Sequence, residues 1–299
     1  MPSYLTIGTY DGVHLGHQKI IRTLIRESFK LGLDSSLAYF PLPPKFFFLN
    51  ETKNCLITLP AEREKLIRRL CVKHITEIPF DTALAEMHAE AFFNSVILKT
   101  HAAAGLCVGR DFAFGRGRGG NVEFLKKRCA AAGIRFKAMS FVNFGGHKIS
   151  SSLIRTFLRN GRVEDANKCL GWNYSLSGKV VTGAGLGRRI GFPTANIDVH
   201  PAKILPPGIF AAKVRLDKEI FYGVANVGRR PTVDSLGGRL LLEVHILDFD
   251  RDIYGRLLEV ELLSYLRPEK KFRSKENLQR QILQDIGIAR KLFNPKIAI

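Results

Sequence analysis

The residues Gly8 to Ile21 read GTYDGVHLGHQKII, with His14 and His17 three apart and Gly16 between them. Tyr4 to Gly8 has the pattern of a short β-strand, and from about Leu15 the apolar positions Ile20, Ile21, Leu24 and Ile25 recur at helical spacing. The histidines therefore stand at a strand-to-helix turn. Such a turn offers phosphate the free N–H groups and positive dipole end of a helix start. Two residues three apart point the same way, so both imidazoles can present N–H groups to one phosphate while Gly16 lets a ligand approach the backbone. Fixed donors of this kind suit nucleotidyl transfer, in which charge grows on phosphoryl oxygens. An HxxH by itself describes a structural or surface pair equally well. Zinc is disfavoured, because no third ligand lies nearby and the spacing is not HExxH.

Other segments carry compatible chemistry. GHKISSSLIRTFLRNG (residues 146–161) sets Ser151 and Ser152 ahead of a helix with Arg155 one turn on. That is a second phosphate grip, or a helix cap with a solvated arginine. VGRDFAFGRGRGG (108–120) follows a β-like run, and its Asp111 can accept from a sugar hydroxyl or base amine, or make an Asx-turn. In FPTAN (192–196) Thr194 and Asn196 are two apart on an extended segment, so their oxygens share a face and can hold Mg²⁺ against ATP phosphates. The preceding glycines 183, 185, 187 and 191 form a loop able to pack N–H groups against phosphate, without the GK[ST] of a Walker loop. Glu243 interrupts the apolar run LLLEVHIL, either as a solvent-facing strand residue or as a base for an attacking hydroxyl.

These residues need two different scaffolds. Up to about Gly171, helical segments (19–29, 61–71, 83–98, 122–132) alternate with short β-like runs (36–40, 105–108, 135–141), which predicts a parallel sheet flanked by helices. Beyond it, alternating strands (178–181, 209–216, 220–227, 240–247, 257–266) predict a small antiparallel barrel, followed by a helix over 276–292. The segment 151–169, mostly helical, bridges the two. The expected domains are 1–172 and 173–299.

At 299 residues and 45% hydrophobic content, each half can build a core. Without a long apolar run or a signal-like start, the expected compartment is the cytoplasm, with no membrane association. Five scattered cysteines without a CxxC pair read as reduced core residues. The net charge of +19 is spread evenly, with 25 basic and 14 acidic residues up to Leu170 and 21 and 13 after it. That evenness, without interleaved aromatics, argues against nucleic acid and leaves a basic proteome or polyanionic small substrates as the explanation.

Taken together and in order, GxxDGVHxGH, VGxDFxFGxxxxG and ISSxxIRxxLxxG resemble the adenylyltransferase half of the bacterial bifunctional riboflavin kinase/FMN adenylyltransferases. GLGRRIGFPTAN, LPPGIFAAKV, GVANVGRRPTV, LLEVHILDFDRDIYG and LRPEKKF resemble the riboflavin kinase half. The resemblance implies a Rossmann-like nucleotidyltransferase domain followed by a small antiparallel β-barrel kinase domain with a C-terminal helix. It implies ATP, Mg²⁺ and the flavins riboflavin, FMN and FAD as cofactor, substrates and products. His14, His17 and Arg155 would then serve adenylyl transfer, with Gly8, Asp11, Gly16, Asp111, Ser151 and Ser152 lining its nucleotide site. Thr194 and Asn196 would carry metal and ATP beside Gly185, Gly187 and Arg188, Glu243 would be the base, and Arg267 with Phe272 would lie in the flavin segment.

Two departures stand out. Thr9 and Tyr10 replace the usual Asn-Phe, and Pro43 occupies the histidine position of F-x-P-H-P, two residues before Lys45. The first alternative is therefore an enzyme in which the kinase half alone works, the other half having decayed or taken another acceptor; a second is a non-enzymatic flavin- or RNA-binding regulator. Incubation with FMN and ATP separates the first, and a salt-dependent nucleic-acid shift without ATP turnover would mark the second.

Overall fold

The computed structural model of the chain describes residues 2–183, 185–229 and 240–293. It divides into two compact units, residues 1–151 and 152–299.

The first unit is a five-stranded parallel sheet of β1 (Ser3–Gly8), β2 (Asp34–Tyr39), β3 (His74–Glu77), β4 (Ala103–Gly109) and β5 (Arg135–Met139), ordered β3-β2-β1-β4-β5. Its helices are α1 (Leu15–Lys30), α2 (Pro44–Phe48), α3 (Pro60–Arg68), α4 (Thr82–Glu86), α5 (Ala89–Phe92) and α6 (Val122–Ala131). A parallel sheet must bury both faces. Leu5, Ile7, Leu106 and Val108 pack on one face with Phe92, Phe93 and Leu125, whereas Tyr4, Leu37, Tyr39 and Cys107 pack on the other with Ile21, Leu24 and Ile67. Because β1 pairs with β2 on one side and β4 on the other, the strand order reverses at the carboxyl ends of β1 and β4, where open α/β sheets bind ligands. A small hairpin, β6 (Asn143–Phe144) and β7 (His147–Lys148), follows the sheet.

Two expectations need correction here. The single helix over 83–98 is instead α4, α5 and a π-helix, Phe93–Thr100. Met87 is extended, and its carbonyl accepts from the Arg116 N–H of the Gly/Arg loop, which breaks the helix. Cys71 is exposed, in the left-handed region (φ 65°) after α3, whereas the other four cysteines are buried.

In the second unit α7 (Ser151–Arg159) and α8 (Val163–Leu170) precede a closed barrel of β8 (Ser175–Val181), β9 (Ala195–Val199), β10 (Gly208–Leu216), β11 (Glu219–Arg229), β12 (Leu240–Ile246) and β13 (Leu257–Arg267). A four-residue helix α9 (Leu186–Arg189) lies between β8 and β9, and α10 (Lys275–Phe293) closes the chain. The compact units divide earlier than the expected boundary at 172/173 because α8 belongs with the barrel. Glu164 accepts from the Ser264 hydroxyl and the Tyr265 N–H, both at 2.7 Å, and Asn167 donates to the Leu262 carbonyl at 2.9 Å. The strand β9 continues the extended FPTAN segment and is not among the barrel strands expected from the sequence, although ANIDV alternates apolar and polar residues. Of GVANVGRRPTV, the part from Arg230 on lies outside the described residues.

Candidate active sites

In the first unit the chain leaves β1 at Gly8 and turns through Tyr10 (φ 48°) and Val13 (φ 37°) before entering α1. Non-glycine residues at positive φ persist only where their surroundings hold them. Here Tyr10 is buried and its ring covers Gly8, where a Cβ would stand 3.0 Å from a ring carbon. Thr6 donates its hydroxyl hydrogen to the Cys107 carbonyl (2.6 Å), so Tyr10 is the donor in the 2.6 Å bond between the two hydroxyls. Burial pushes the Tyr10 phenol well above its ordinary range.

The loop is also tied from below. Asp11 is fully buried, and its carboxylate accepts from the Ile57 and Thr58 N–H groups, the Thr58 hydroxyl and the Arg63 guanidinium. Arg63, equally buried, donates also to the carbonyls of Phe40, Pro41 and Thr58. The Asp11 carboxylate fixes the turn after β1 to the segments after β2 and before α3. Sequence reasoning missed Arg63, because a basic residue in PAEREKLIR reads as a solvated helix face. The Asp11 carbonyl accepts from the Ser151 hydroxyl at 2.8 Å, which brings the start of the ISSS segment to the same turn.

On this base stand the histidines. His14 is the N-cap of α1, its Nδ1 accepting the His17 N–H at 3.3 Å, so the neutral ring carries its proton on Nε2. The two imidazoles stack with centroids 3.6 Å apart, and Tyr10 packs against His17 at 4.9 Å. A Cβ on Gly16 would meet the His14 ring at 3.0 Å. Gly16 thus makes room for an imidazole, a role nearer to hand than the ligand approach expected of it.

Across the switch point, Asp111 follows β4 as an exposed carboxylate paired with Lys148, whose ammonium also lies 4.1 Å from the Phe141 ring centre. Pro43 precedes α2, with Pro44 at its first position, as the fixed φ of proline favours. The Lys45 ammonium sits 4.6 Å from the Phe46 ring centre. A cavity of about 840 Å³ between α6 and β5, lined in part by Arg110, Lys126 and Phe136, is bordered by none of the expected site residues, and the switch point is preferred as the site on chemistry. Ser152 and Arg155 lie on α7 in the second unit; Arg155 is buried, and the Ser152 carbonyl accepts from the Thr156 hydroxyl.

In the barrel, Glu243 on β12 stands directly across from Asn196 on β9 and from Asn226 on β11. Partners in an antiparallel ladder share a face, so the carboxylate lies between two carboxamides. The Asn196 side chain folds over the glycine loop: a Cβ on Gly183 would fall 2.2 Å from Asn196 Nδ2. Gly185 starts α9 in the left-handed conformation, and Gly187 closes against the Phe192 carbonyl with Thr194 Oγ1 nearby. His245 Nδ1 donates to the Pro193 carbonyl at 2.8 Å and pins the FPTAN segment to β12. A cavity of about 370 Å³ beside Thr194 is lined by Arg188, Pro193, Ile246, Phe249 and Tyr254. The loop 249–254 received no role from the sequence, although its turn-rich DFDRDIYG follows the Glu243 strand directly.

Arg267 ends β13 and is tied to α10. Its guanidinium is bound in a fork by Asp285 of α10, with Nε 2.9 Å and Nη2 2.7 Å from the carboxylate oxygens, and it lies over the Phe272 ring at 5.8 Å. It latches α10 and the LRPEKKF segment to β13. Among the described residues no group of three His, Cys, Asp or Glu side chains could hold a metal, and no helix is long and apolar enough to cross a membrane.

A strand-to-helix turn with two stacked histidines at the switch point of a parallel sheet, and a barrel with a carboxylate beside a glycine loop, together form the two regions of a nucleotide-dependent transferase. Family models agree: that for FAD synthetase matches residues 1–153, and that for riboflavin kinase matches 170–293. The bifunctional riboflavin kinase/FMN adenylyltransferase of Haemophilus influenzae is 38% identical over 293 residues, 97% of this chain and 94% of that one. Its counterpart from Escherichia coli is 35% identical over 290 residues, covering 97% and 92%. A solved structure described as a macrolide-efflux protein from Streptococcus pneumoniae superposes with a TM-score of 0.88 at 30% identity, covering 97% of this chain and 94% of that one. The chain belongs to the bifunctional riboflavin kinase/FMN adenylyltransferase family, with both of the family's enzymatic regions present.

Proposed function

We propose that this bifunctional transferase makes FMN and then FAD in the cytoplasm with the residues assigned as follows. Residues 173–299 phosphorylate riboflavin: Glu243 accepts the proton of the 5′-hydroxyl as its oxygen attacks the γ-phosphorus of ATP and ADP departs. Thr194 and Asn196 supply neutral oxygens suited to Mg²⁺, a hard cation held mainly by phosphates and water. A Mg²⁺ ion held by these residues would supply positive charge to offset that of the triphosphate. Gly185, Gly187 and Arg188 bound the phosphate side of the cavity, and Arg267 acts by holding Phe272 in the flavin segment.

Residues 1–172 adenylylate FMN. A phosphate oxygen of FMN attacks the α-phosphorus of ATP and pyrophosphate leaves, with no covalent enzyme intermediate. His14 and His17 stabilise the growing charge, and His14 does so through Nε2–H, since Nδ1 is occupied by its capping bond. Ser151, Ser152 and Arg155 hold the nucleotide phosphates, Asp111 binds sugar or base, and Gly8, Asp11 and Gly16 shape the turn. The observation that carries this reading is the His14–His17 stack at the head of α1, beyond the carboxyl end of the central strand.

Both family regions match, which leaves the reading of a decayed amino-terminal half without support. Chromatography of products from riboflavin, ATP and Mg²⁺ tests the proposal: FMN appears first and FAD follows. FMN without FAD, also from supplied FMN, would refute the assignment of the first region.

A further inference from the structure

The Leu247 N–H donates to the Tyr222 carbonyl and the Gly255 N–H to the Val180 carbonyl. Between these two ties the segment 248–254 makes no backbone hydrogen bond to the barrel among the described residues. Its place is therefore set by side chains. Asp248 is held at one end by Arg290 of α10, and Asp252 closes a local turn by accepting the Tyr254 N–H. In the middle stands Arg251. Its guanidinium carbon lies 4.9 Å from the ring centre of Phe249 and 5.1 Å from that of Phe221 on β11, and the two rings meet edge to face at 5.1 Å. Nη1 donates to Glu219, the first residue of β11, at 2.9 Å.

The segment so held lines the cavity of about 370 Å³ beside Thr194. Arg188 and Thr194, assigned above to the phosphates, line it as well, whereas 249–254 contributes the carboxylates of Asp250 and Asp252 together with the rings of Phe249 and Tyr254. Carboxylates repel a triphosphate and aromatic rings offer a stacking face, so a nucleotide in this cavity turns its base toward 249–254.

We propose that Arg251 is a positioning residue for the ATP of the kinase reaction: clamped between Phe221 and Phe249 and tied to Glu219, it holds the Phe249 ring as a surface for the base. This inference rests on the cavity being the kinase's ATP site. Arg251 touches no reacting atom in this arrangement, so its loss weakens binding and spares the chemical step. Its contacts are open to water, which limits the effect to about tenfold. Lysine keeps the charge for Glu219 but not the planar group that stacks on both rings.

The test is steady-state riboflavin phosphorylation by the full chain, with FAD formation from FMN as the control for folding. Arg251→Ala should raise KM for ATP about five- to tenfold, with kcat within about twofold of wild type and KM for riboflavin unmoved. Arg251→Lys should fall between the two. Phe249→Leu should raise KM for ATP at least as far, and adding Arg251→Ala to it should change nothing more, because the arginine acts through that ring. An unaltered KM for ATP in Arg251→Ala overturns the proposal, and so does an effect that adds in full to that of Phe249→Leu, which would make Arg251 a contact of the nucleotide itself. A wild-type KM for ATP in Phe249→Leu would instead remove the assignment of the cavity on which the inference rests.

Discussion

The imidazoles of His14 and His17 lie face to face, 3.6 Å between centroids and 17° between planes, joined by the bond from the His17 N–H to His14 Nδ1. One residue therefore caps a helix and presents a donor at once, and the two roles separate by substitution. His14→Asn keeps a capping acceptor, whereas His14→Ala loses it at a cost of about 1 kcal/mol. Both should lower FAD formation about a hundredfold, as should His17→Ala, because a preorganised donor is lost. Thermal unfolding should distinguish the Asn from the Ala variant, while kinase turnover stays unchanged in all three. Wild-type FAD synthesis in His14→Asn would confine this residue to capping.

The place of this pair was legible before the fold was known, because strand periodicity giving way to helical periodicity fixes a turn, and the turn fixes which residues meet a phosphate. What lay beyond reach was everything set by partners distant in sequence. Asp11 read as a ligand for the nucleotide, yet its carboxylate is consumed by Thr58 and Arg63, some fifty positions on. The pairing of Arg267 with Asp285, eighteen positions on, left no sign in the sequence. The longer barrel strands emerged nearly in full, and β9 is short but also alternates, whereas the break at Met87 depends on a loop contact that no local pattern records.

Gly16 offers a test that removes no polar group. In Gly16→Ala the new methyl would stand 3.0–3.1 Å from His14 Cε1 and Nδ1, so the ring must move. The ring must give by a few tenths of an ångström, so the loss should be about tenfold, short of the roughly hundredfold of a 1 Å misplacement. FAD formation should fall accordingly with little change in unfolding temperature, and activity within twofold of wild type would show that the stack is not needed for transfer.

Glu243→Gln should abolish FMN formation from riboflavin and leave FAD formation from supplied FMN intact, because the adenylyl-transfer residues assigned here include no member of the barrel. Both rates are measured on one preparation. A joint fall of the two activities would contradict the division of labour.

The Arg267–Asp285 fork is shielded from water on the Asp285 side, where the carboxylate is 3% exposed. Removing one member of a buried pair costs about 3 kcal/mol, since the other is left without its charge partner. Arg267→Ala and Asp285→Ala should each lower barrel stability by about that amount and weaken riboflavin affinity together, and the double variant should be no worse than the singles. If Arg267→Ala alone impaired riboflavin binding, the guanidinium would be a ligand contact and not a latch.

Pro43 stands where the family resemblance implies an imidazole, and the nearest cation in sequence is Lys45. Its ammonium is 4.6 Å from the Phe46 ring centre, at the first turn of α2. An exposed cation–π contact is worth only about 0.5–1 kcal/mol, so this contact opposes only weakly a move of the ammonium toward a triphosphate. As a point charge it would strengthen ATP binding without reproducing a directed imidazole bond. Lys45→Ala should then raise KM for ATP in FAD formation several-fold, by about 1 kcal/mol of lost phosphate attraction, with kcat nearly unchanged. The kinase reaction on the same preparation should keep its KM for ATP. An unaltered KM in adenylyl transfer would mean that the first region holds its nucleotide without any substitute for the missing histidine, through the α1 turn and the Ser151–Arg155 segment alone.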